Sequence, residues 1–544
     1  MPAPSNSPDL RPDLRGALRG LDRRRFLTVS AAATALAFTT GLPRTGAFAA
    51  PAGSPADITS DPFTLAVASG DPLPDSVLLW TRLAPLPLEP TGGMPPSRFD
   101  VRWEVARDAT FKRVVRRGTA VAHTEFNHSV HAEVRGLDAA TEYFYRFRIG
   151  RWISPVGRTR TAPAVGAAVS SLTFALASCQ RYDQGYYTAY KHLAGEDVDA
   201  VFHLGDYLYE YAVNASAGAR GYTEPLPAHL NHETVTLDDY RARYGLYKSD
   251  PDQIAAHLAH PFIVTWDDHE TENNYAADTP ENSVPPEEFL VRRAAAYRAY
   301  WENQPLRLPQ QPSGSDLRLY RRLRWGRLAQ FDILDTRQYR TNQANGDGWK
   351  VPSAESEAES MTLPGNEQEQ WLIDGWRRSS ALWNVVPQQV TFSRRDNPSG
   401  DGTRSMDSWD GYPASRRRIL DGWKASEQSN LMVLTGDVHV HYGLNIHDDF
   451  DDPSSRIMGT EIVTSSITSG GNGAEHPANW AAYLERNPHM KFYNGLRGYT
   501  TVSLNADGAE ITYKNVAQVS TPGAPLTVGG RFFTESGRPG LVEA

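Results

Sequence analysis

The stretch Leu434-Thr-Gly-Asp-Val-His-Val-His441 ends an apolar run with a glycine and then presents one acid and two imidazoles. Side chains alternate between the two sides of an extended chain, so we expect Asp437, His439 and His441 to point to one side. Carboxylate oxygens and imidazole nitrogens are ligands that divalent and trivalent metal ions take. The stretch therefore predicts a metal site at the end of a strand.

Three earlier apolar runs also lead into polar residues. They are followed by Ser178-Cys-Gln-Arg181, Gly205-Asp-Tyr-Leu-Tyr209 and Asp267-Asp-His-Glu270. Each segment has a simpler interpretation when taken alone: a buried packing cysteine, a common Gly-Asp turn, and a solvated, capped loop. The third segment gives the strongest signal, because its clustered acids would repel one another without a cation.

The pattern between these runs predicts an α/β fold. Strand-like runs alternate with helical spacing, for example at Leu290, Ala294, Tyr297 and Trp301. In layered α/β domains ligands bind beyond the carboxyl ends of the strands, so the four polar segments should meet at one edge. Together they offer a thiol, carboxylates, a phenol and imidazoles, which suit two or more metal ions better than a protease triad.

A pair of adjacent cations would suit phosphoryl hydrolysis. Two such ions clamp the phosphate oxygens, lower the pKa of a bound water and neutralise charge on the attacking and leaving oxygens. The reaction needs strong assistance, because enzymes accelerate phosphate-monoester hydrolysis by up to about 10²¹-fold. The sequence therefore favours a metal-dependent phosphoester hydrolase.

The N-terminus predicts export. Arg23-Arg24-x-Phe26-Leu27 precedes an uncharged apolar run, and Ala47-Phe48-Ala49 follows with an A-x-A cleavage pattern. The apolar run is shorter than the roughly 20 residues that span a bilayer, so we predict a signal peptide over residues 1–49 and no transmembrane segment. The paired arginines resemble a twin-arginine signal, which implies the twin-arginine export machinery and a secreted protein; an arginine-rich general secretory signal is the alternative.

Charge and cysteine content narrow the class of protein further. Without residues 1–49 the chain carries 48 basic and 61 acidic residues, a net charge of −13. An acidic chain without a basic stripe argues against stable nucleic-acid binding. Cys179 is the only cysteine, so no intramolecular disulfide can form. An exported free thiol is at risk unless it is buried or bonded.

The remaining chain divides into four segments. Short alternating runs over residues 50–161 predict a β-sandwich domain, and Gly136 to Tyr145 is similar to the tyrosine corner of fibronectin type III domains. Small residues at 162–170 predict a linker, and 171–517 would form the metal-binding α/β domain. The Pro- and Gly-rich segment 518–544 shows no period, so we predict a loop or tail that could cover the site.

Together the polar segments resemble a known family, the PhoD-type alkaline phosphatases within the calcineurin-like metallophosphoesterases. The motifs are Ser178-Cys-Gln-Arg181, Gly205-Asp-Tyr-Leu-Tyr209, Trp266-Asp-Asp-His-Glu270 and Gly436-Asp-Val-His439. Ala66-Val-Ala-Ser-Gly-Asp-Pro72 with Leu79-Trp-Thr-Arg82 resembles that family's N-terminal β domain. The resemblance implies a four-layer α/β sandwich of the metallophosphoesterase type, preceded by an all-β fibronectin type III-like domain.

The motifs depart from those of general metallophosphoesterases at three places. Cys179 falls in the first ligand motif, where Asp-x-His is usual. Asp268-His269 stands where Asn-His is usual, and Asp437-x-His439 stands where His-x-His is usual.

The resemblance implies a metal-ligand set that contains both iron and calcium. The implied ferric ligands are Cys179, Asp206, Tyr209 and His439, with Asp206 bridging to Ca²⁺. A soft thiolate and a phenolate favour a transition metal such as Fe³⁺, whereas Asp437 and either Asp267 or Asp268 favour Ca²⁺. By this assignment His441 is a neighbour of the site and not a ligand.

The resemblance also suggests catalytic and substrate-binding roles. His269 is the candidate for protonating the leaving oxygen or stabilising the transition state, beside the bridging Asp206. Arg181 and Arg337 could bind phosphate, and either could equally form a structural ion pair.

We therefore expect a secreted phosphatase that hydrolyses phosphomonoesters, and also phosphodiesters, by attack of a metal-bound hydroxide. The nearest alternative is a phosphodiesterase or phospholipase D with the same metal site, although no membrane-binding segment is evident. A second alternative, from another class, is a non-catalytic secreted metal-binding module.

Overall fold

The computed structural model of the chain describes residues 50–213, 219–220 and 226–544. The predicted signal peptide over residues 1–49 lies outside this range and stays a prediction. No helix within the described ranges is long and apolar enough to cross a membrane.

Strands dominate the described chain. The first eight are β1 (Val67–Leu73), β2 (Ser76–Arg82), β3 (Phe99–Ala106), β4 (Val114–Ala122), β5 (Ser129–Arg135), β6 (Glu142–Ile149), β7 (Trp152–Ile153) and β8 (Gly157–Arg160). The next nine are β9 (Ser171–Ala177), β10 (Ala200–Leu204), β11 (Phe262–Thr265), β12 (Arg321–Trp325), β13 (Ala329–Ile333), β14 (Trp349–Lys350), β15 (Trp383–Pro387), β16 (Arg404–Ser405) and β17 (Leu431–Thr435). The last eight are β18 (His441–His447), β19 (Ile457–Val463), β20 (Gly473–Ala474), β21 (Met490–Leu496), β22 (Gly498–Asn505), β23 (Gly508–Val516), β24 (Leu526–Glu535) and β25 (Arg538–Glu543).

Helices lie between many of these strands. They are α1 (Thr188–Leu193), α2 (Leu237–Lys248), α3 (Pro251–Ala259), α4 (Pro286–Asn303), α5 (Asn366–Arg377), α6 (Pro413–Ala425) and α7 (Trp480–Arg486). Their N-termini follow the usual signals. Thr236 and Asp239 form a capping box at the start of α2, and Asp250 caps α3, whose first residue is a proline.

Two large sheets carry the fold. One has the strand order β25-β24-β23-β22-β9-β10-β11-β1-β2-β5, and the other has the order β12-β13-β15-β17-β19-β18-β21-β20. In the first sheet β9, β10 and β11 are parallel, with Val201 opposite Ala175 on one side and Phe262 on the other. In the second sheet β13, β15, β17 and β19 are parallel. Parallel strands bring their carboxyl ends to one edge, which is where ligands bind in such sheets.

The sheets pack face to face, and helices cover their outer faces. The ring of Phe331 in the second sheet lies 5.6 Å from that of Phe174 and 4.7 Å from that of Phe202 in the first sheet, between centroids. Apolar side chains of α1 to α4 pack on the outside of the ten-stranded sheet, and those of α5 and α6 pack on the outside of the eight-stranded sheet. This helix–sheet–sheet–helix order confirms the expected four-layer sandwich.

The N-terminal β domain is also confirmed, but it shares a sheet with the α/β domain. β3, β4, β6, β7 and β8 form a sheet of their own, whereas β1, β2 and β5 extend the ten-stranded sheet, where Gly70 on β1 pairs with Phe262 on β11. The two β layers enclose a common apolar core. The backbone N–H of Asp138 donates a hydrogen bond of 2.9 Å to the Tyr143 hydroxyl, as a tyrosine corner requires.

The prediction of a loop or tail over residues 518–544 is wrong for most of that segment. β24 and β25 are antiparallel strands at the edge of the ten-stranded sheet, next to β23. Only a few of their side chains, such as Phe532 and Leu541, are buried. An exposed edge strand lacks the regular apolar alternation by which strands are recognised in a sequence.

A buried ion pair ties the shared sheet to the second sheet, and its loss should destabilise the protein. Arg321 of β12 donates two hydrogen bonds of 2.8 Å to the Asp71 carboxylate on β1, and both side chains are buried. Asp71→Asn would leave a buried guanidinium without its counter-charge. We expect a loss of about 3 to 5 kcal/mol, measured as a lower midpoint of thermal unfolding.

The exposed pair of Arg538 and Glu535 provides the control. We expect Glu535→Gln to change stability by less than about 0.5 kcal/mol. Equal midpoints for Asp71→Asn and Glu535→Gln would contradict a stabilising role for the buried pair.

Candidate metal centre

The predicted metal ligands occupy the same position relative to their strands. Cys179 follows the end of β9 by two residues, and Asp206, Asp267 and Asp437 follow the ends of β10, β11 and β17 by two residues each. Because these strands end at a common edge of the two sheets, their loops converge.

In the loops after β9, β10 and β17, the backbone is held in a conformation that residues other than glycine rarely adopt. Cys179, Asp206, Asp437 and His439 have φ angles of 57°, 58°, 62° and 58°. Such left-handed conformations cost about 1 to 2 kcal/mol per residue and persist only where the surroundings enforce them. They gather at functional sites more often than elsewhere, so their grouping here supports a functional centre.

Two glycines allow the loops to approach closely. A side chain at Gly205, whose φ is +109°, would place its Cβ 2.5 Å from the Cβ of Asp267. A Cβ at Gly436 would lie 2.3 Å from the Ser178 hydroxyl oxygen. The glycines before Asp206 and Asp437 therefore let the ligand loops of different strands touch one another.

Three of the predicted ligands come together around a fourth, Tyr209. The ligand atoms of Cys179, Asp206 and His439 lie within 4.8 Å of one another. The Tyr209 hydroxyl donates to Asp206 Oδ2 at 2.8 Å and lies 3.0 Å from His439 Nε2. A sulfur, a carboxylate, a phenol and an imidazole thus face one point.

A second group lies next to the first and shares Asp206 with it. Ligand atoms of Asp206, Asp268 and His269 also lie within 4.8 Å of one another. His269 Nδ1 is 2.7 Å from Glu210 Oε2, and the backbone N–H of Asn274 donates to Asp268 Oδ2 at 2.7 Å. Asp206 therefore stands between two possible cation positions.

Arg337 lies beside this second group and is fully buried. Its Nε donates to Asp267 Oδ1 at 2.5 Å, and its two terminal nitrogens donate to Asp407 at 2.7 and 2.8 Å. One of those nitrogens is 3.8 Å from Asp268 Oδ2. The sequence allowed two roles for Arg337, phosphate binding or a structural ion pair. These contacts are those of a structural ion pair.

Arg181 lies on the Tyr209 side of the centre and is partly exposed. Its guanidinium pairs with Asp183, with Nε 2.9 Å from Oδ1, and lies 4.9 Å from the ring centroid of Tyr211. Of the two predicted phosphate-binding arginines, Arg181 is therefore the one that solvent reaches.

The prediction that Asp437, His439 and His441 share one side of an extended strand is wrong. β17 ends at Thr435, and the left-handed residues 437 and 439 turn the chain before β18 begins at His441. The alternation rule holds only while the chain stays extended. His441 is buried in the core, where its Nδ1 accepts a hydrogen bond of 3.0 Å from the Ser465 backbone N–H.

Sequence reasoning missed the residues that hold the loops in place. The Glu270 carboxylate accepts backbone hydrogen bonds from Asp206, Tyr207 and Asp267 at 3.1, 2.6 and 2.9 Å. Glu270 appeared in the sequence only as a member of an acidic run, whereas it braces the loops after β10 and β11. Ser469 Oγ lies 2.8 Å from the Tyr209 hydroxyl oxygen, and no motif pointed to it.

The electrostatics of the centre favour bound cations. Burial raises the pKa of the Cys179 thiol well above its usual range, and the nearby Asp206 raises it further. Burial likewise raises the pKa of Asp206; His269 opposes this effect, and Asp268 and Asp267 add to it. Asp206 Oδ1 and Asp267 Oδ2 are buried without a hydrogen-bond partner. Metal ions would supply both the missing partners and the charge that keeps these ligands deprotonated.

Comparisons with known proteins identify the family of this chain. Residues 174–513 match the family model of the PhoD-like phosphatases, and residues 48–163 match that of the PhoD-like phosphatase N-terminal domain. Alkaline phosphatase D of Bacillus subtilis (strain 168) is 50% identical over 486 residues, which cover 89% of this chain and 83% of that protein. A solved structure of PhoD is 49% identical, with a TM-score of 0.86, and the match covers 90% of this chain and 93% of that chain.

The close approach at Gly205 can be tested by adding one methyl group. Gly205→Ala combines an unfavourable φ with a clash against Asp267, so we expect a loss of roughly 2 to 4 kcal/mol, seen as a lower midpoint of thermal unfolding. The matched control is Gly166→Ala, because Gly166 also has a positive φ, +86°, but has no neighbour within 4 Å of the added Cβ. Equal losses in the two variants would show that the loops do not need this close approach.

Proposed function

Because the chain belongs to the PhoD-like phosphatase family and is a phosphoric ester hydrolase, we propose that it uses bound iron and calcium to hydrolyse phosphomonoesters and also phosphodiesters. The observation that carries the proposal is the meeting of Cys179, Asp206, Tyr209 and His439 at one point. We also propose that the protein is secreted, with residues 1–49 serving as a twin-arginine signal.

The proposed iron ligands are the four residues just named. Their sulfur, phenol and imidazole donors suit a transition metal better than a hard alkaline-earth ion. Cys179 is buried, which fits a bound thiolate and keeps the thiol away from oxidants.

The proposed calcium ligands are carboxylates on the other side of Asp206. Asp268 is the better supported of the two candidates after β11, because its oxygen lies near Asp206, whereas Asp267 Oδ1 is hydrogen-bonded to Arg337. Asp437 adds a further oxygen donor from the loop after β17. Oxygen ligands of this kind are those that Ca²⁺ prefers.

When bound, the two ions would neutralise charge on the phosphate oxygens and activate water near neutral pH. The protein's own groups then supply the remaining steps. Glu210 holds His269 Nδ1, which leaves Nε2 for the substrate. In the metal-free protein, burial disfavours the charged imidazole, but Glu210, Asp268 and Asp206 outweigh it and raise the pKa of His269 well above its usual value. We propose that protonated His269 donates to the leaving oxygen, and that Arg181 contacts the phosphate.

Metal content and colour test the iron assignment. Protein purified without chelator should contain iron and calcium, and a ferric phenolate at Tyr209 should give visible absorption. We expect Tyr209→Phe to abolish this absorption, since it removes the phenol oxygen but little else. The control is Tyr493→Phe, whose ring belongs to a different aromatic cluster. An active enzyme without iron, or unchanged absorption in Tyr209→Phe, would contradict the proposal.

Rates on model substrates test the reaction. We expect hydrolysis of p-nitrophenyl phosphate and of bis-p-nitrophenyl phosphate, with little release of choline from phosphatidylcholine. Asp206→Asn should reduce both hydrolysis rates by at least about 100-fold, because it removes the carboxylate shared by the two groups. Normal rates in a folded Asp206→Asn variant would refute the proposed centre, and a dominant rate on phosphatidylcholine would favour a phospholipase.

A further inference from the structure

Among the described residues, the buried arginines other than Arg395 have either an ion-pair partner or at least two oxygen acceptors; the latter group is Arg82, Arg243, Arg307 and Arg497. Arg416 contacts Asp410 at 2.8 Å, and Arg340 contacts Asp407 at 2.7 Å. Arg243 has no such carboxylate, but it donates to four backbone carbonyl oxygens. These contacts compensate for the removal of the guanidinium from water.

Arg395 differs from these arginines. It is only 9% exposed, yet its side chain forms no ion pair within the described chain, and its Nε has no hydrogen-bond partner. The neutral hydroxyl of Tyr442 is within its reach. A hydroxyl can accept a hydrogen bond but cannot balance the charge. Arg395 is therefore a buried cation that forms no ion pair with a described residue.

The strand order brings Arg395 near the loop that carries Asp437. It follows the carboxyl end of β15, which pairs in parallel with β17, the strand that leads to Asp437. The extension of β15 stays beside that loop, since the backbone N–H of Gly436 donates to the Gln389 carbonyl at 2.9 Å. The charges of Arg395 and Asp437 are close enough to interact.

An exposed tryptophan lies against Arg395. The guanidinium of Arg395 lies 5.3 Å from the ring centroid of Trp349 on β14, and Trp349 is 41% exposed. The loop before β14 is attached to the metal centre: Asn274 donates through its side chain to Asp347 and through its backbone to Asp268. A cation and an aromatic ring thus lie together next to segments that contact the centre.

We propose that Arg395 and Trp349 form a substrate subsite, in which the guanidinium binds an anionic oxygen of the phosphoester and the indole contacts its organic group. The planar guanidinium is well suited to phosphate oxygens, and a bound phosphate would supply the missing counter-charge. A cation–π contact with Trp349 alone is a weak substitute for an ion pair. This subsite rests on the proposed function, since it serves the same centre.

The test compares two adjacent arginines in the metal-loaded, full-length protein. Arg394→Gln is the matched control, because Arg394 is already paired with Asp396 at 2.8 Å. We expect Arg395→Gln to weaken the binding of inorganic phosphate, measured by calorimetry, by at least about tenfold and to raise the KM for p-nitrophenyl phosphate similarly. Arg395→Lys should recover part of the loss, and Arg394→Gln should stay within about twofold of the wild type.

Trp349→Ala separates the two parts of the subsite. It should raise the KM for p-nitrophenyl phosphate several-fold while leaving the affinity for inorganic phosphate unchanged, because phosphate has no organic group. Equal phosphate affinity in wild type, Arg395→Gln and Arg395→Lys, at unchanged metal content and unfolding midpoint, would overturn the proposal. A lower unfolding midpoint in Arg395→Gln with unchanged phosphate affinity would also overturn it, in favour of a structural role.

These outcomes are distinct from those that bear on the proposed function. Phosphate binding requires no turnover, so calorimetry reports on the subsite even if the wild type hydrolyses none of the substrates. If Arg395→Gln does not fold, Arg395→Lys keeps the charge and carries the same test, with an intermediate affinity expected.

Discussion

The gathering of buried acids at one edge of two sheets is the constraint on which the rest of this structure depends. A thiol, a phenol and several carboxylates lie within a few ångströms of one another, and burial raises the pKa of Cys179, Asp206 and Tyr209 well above their usual values. Such a group is stable in its charged form only around cations. Left-handed residues in three of the four loops, together with the two glycines, are the means by which the chain brings these side chains together.

Residues outside the candidate ligand set hold this unfavourable arrangement in place. Glu270 fixes the loops after β10 and β11 through backbone hydrogen bonds, so the positions of Asp206 and Asp267 do not depend on their own side chains. The N-terminal β domain contributes as well, because its strands extend the ten-stranded sheet and Asp71 pairs with Arg321 of the second sheet. The two sheets that end at the centre are thereby fixed relative to each other by more than their apolar core.

The sequence predicted where the ligands are attached but not how their side chains point. Each apolar run marks a strand, and a polar residue two positions beyond its end marks a ligand loop, so Cys179, Asp206 and Asp437 could be located. Their directions depend on left-handed turns, which period-two alternation cannot anticipate. The sequence did not indicate a role for Arg395, because its neighbours Trp349 and Asp437 lie far from it along the chain. The strands β24 and β25 were not predicted, because few of their residues are buried and their sequence shows no regular apolar alternation.

The two buried arginines beside the centre show how its charge is divided. Arg337 serves as a fixed counter-ion: burial would raise the pKa of Asp407, yet Arg337 and Arg340 together hold it far below its usual range. Asp437 has no described arginine within ion-pairing distance, and burial raises its pKa to about 6 although Arg337 and Arg395 oppose the rise. Asp407 is thus neutralised by arginines, whereas Asp206 and Asp437 form no ion pair with an arginine within the described residues. Arg395, near Asp437, is instead a positive charge without an ion-pair partner among the described residues. The negative charge of a bound substrate would balance it.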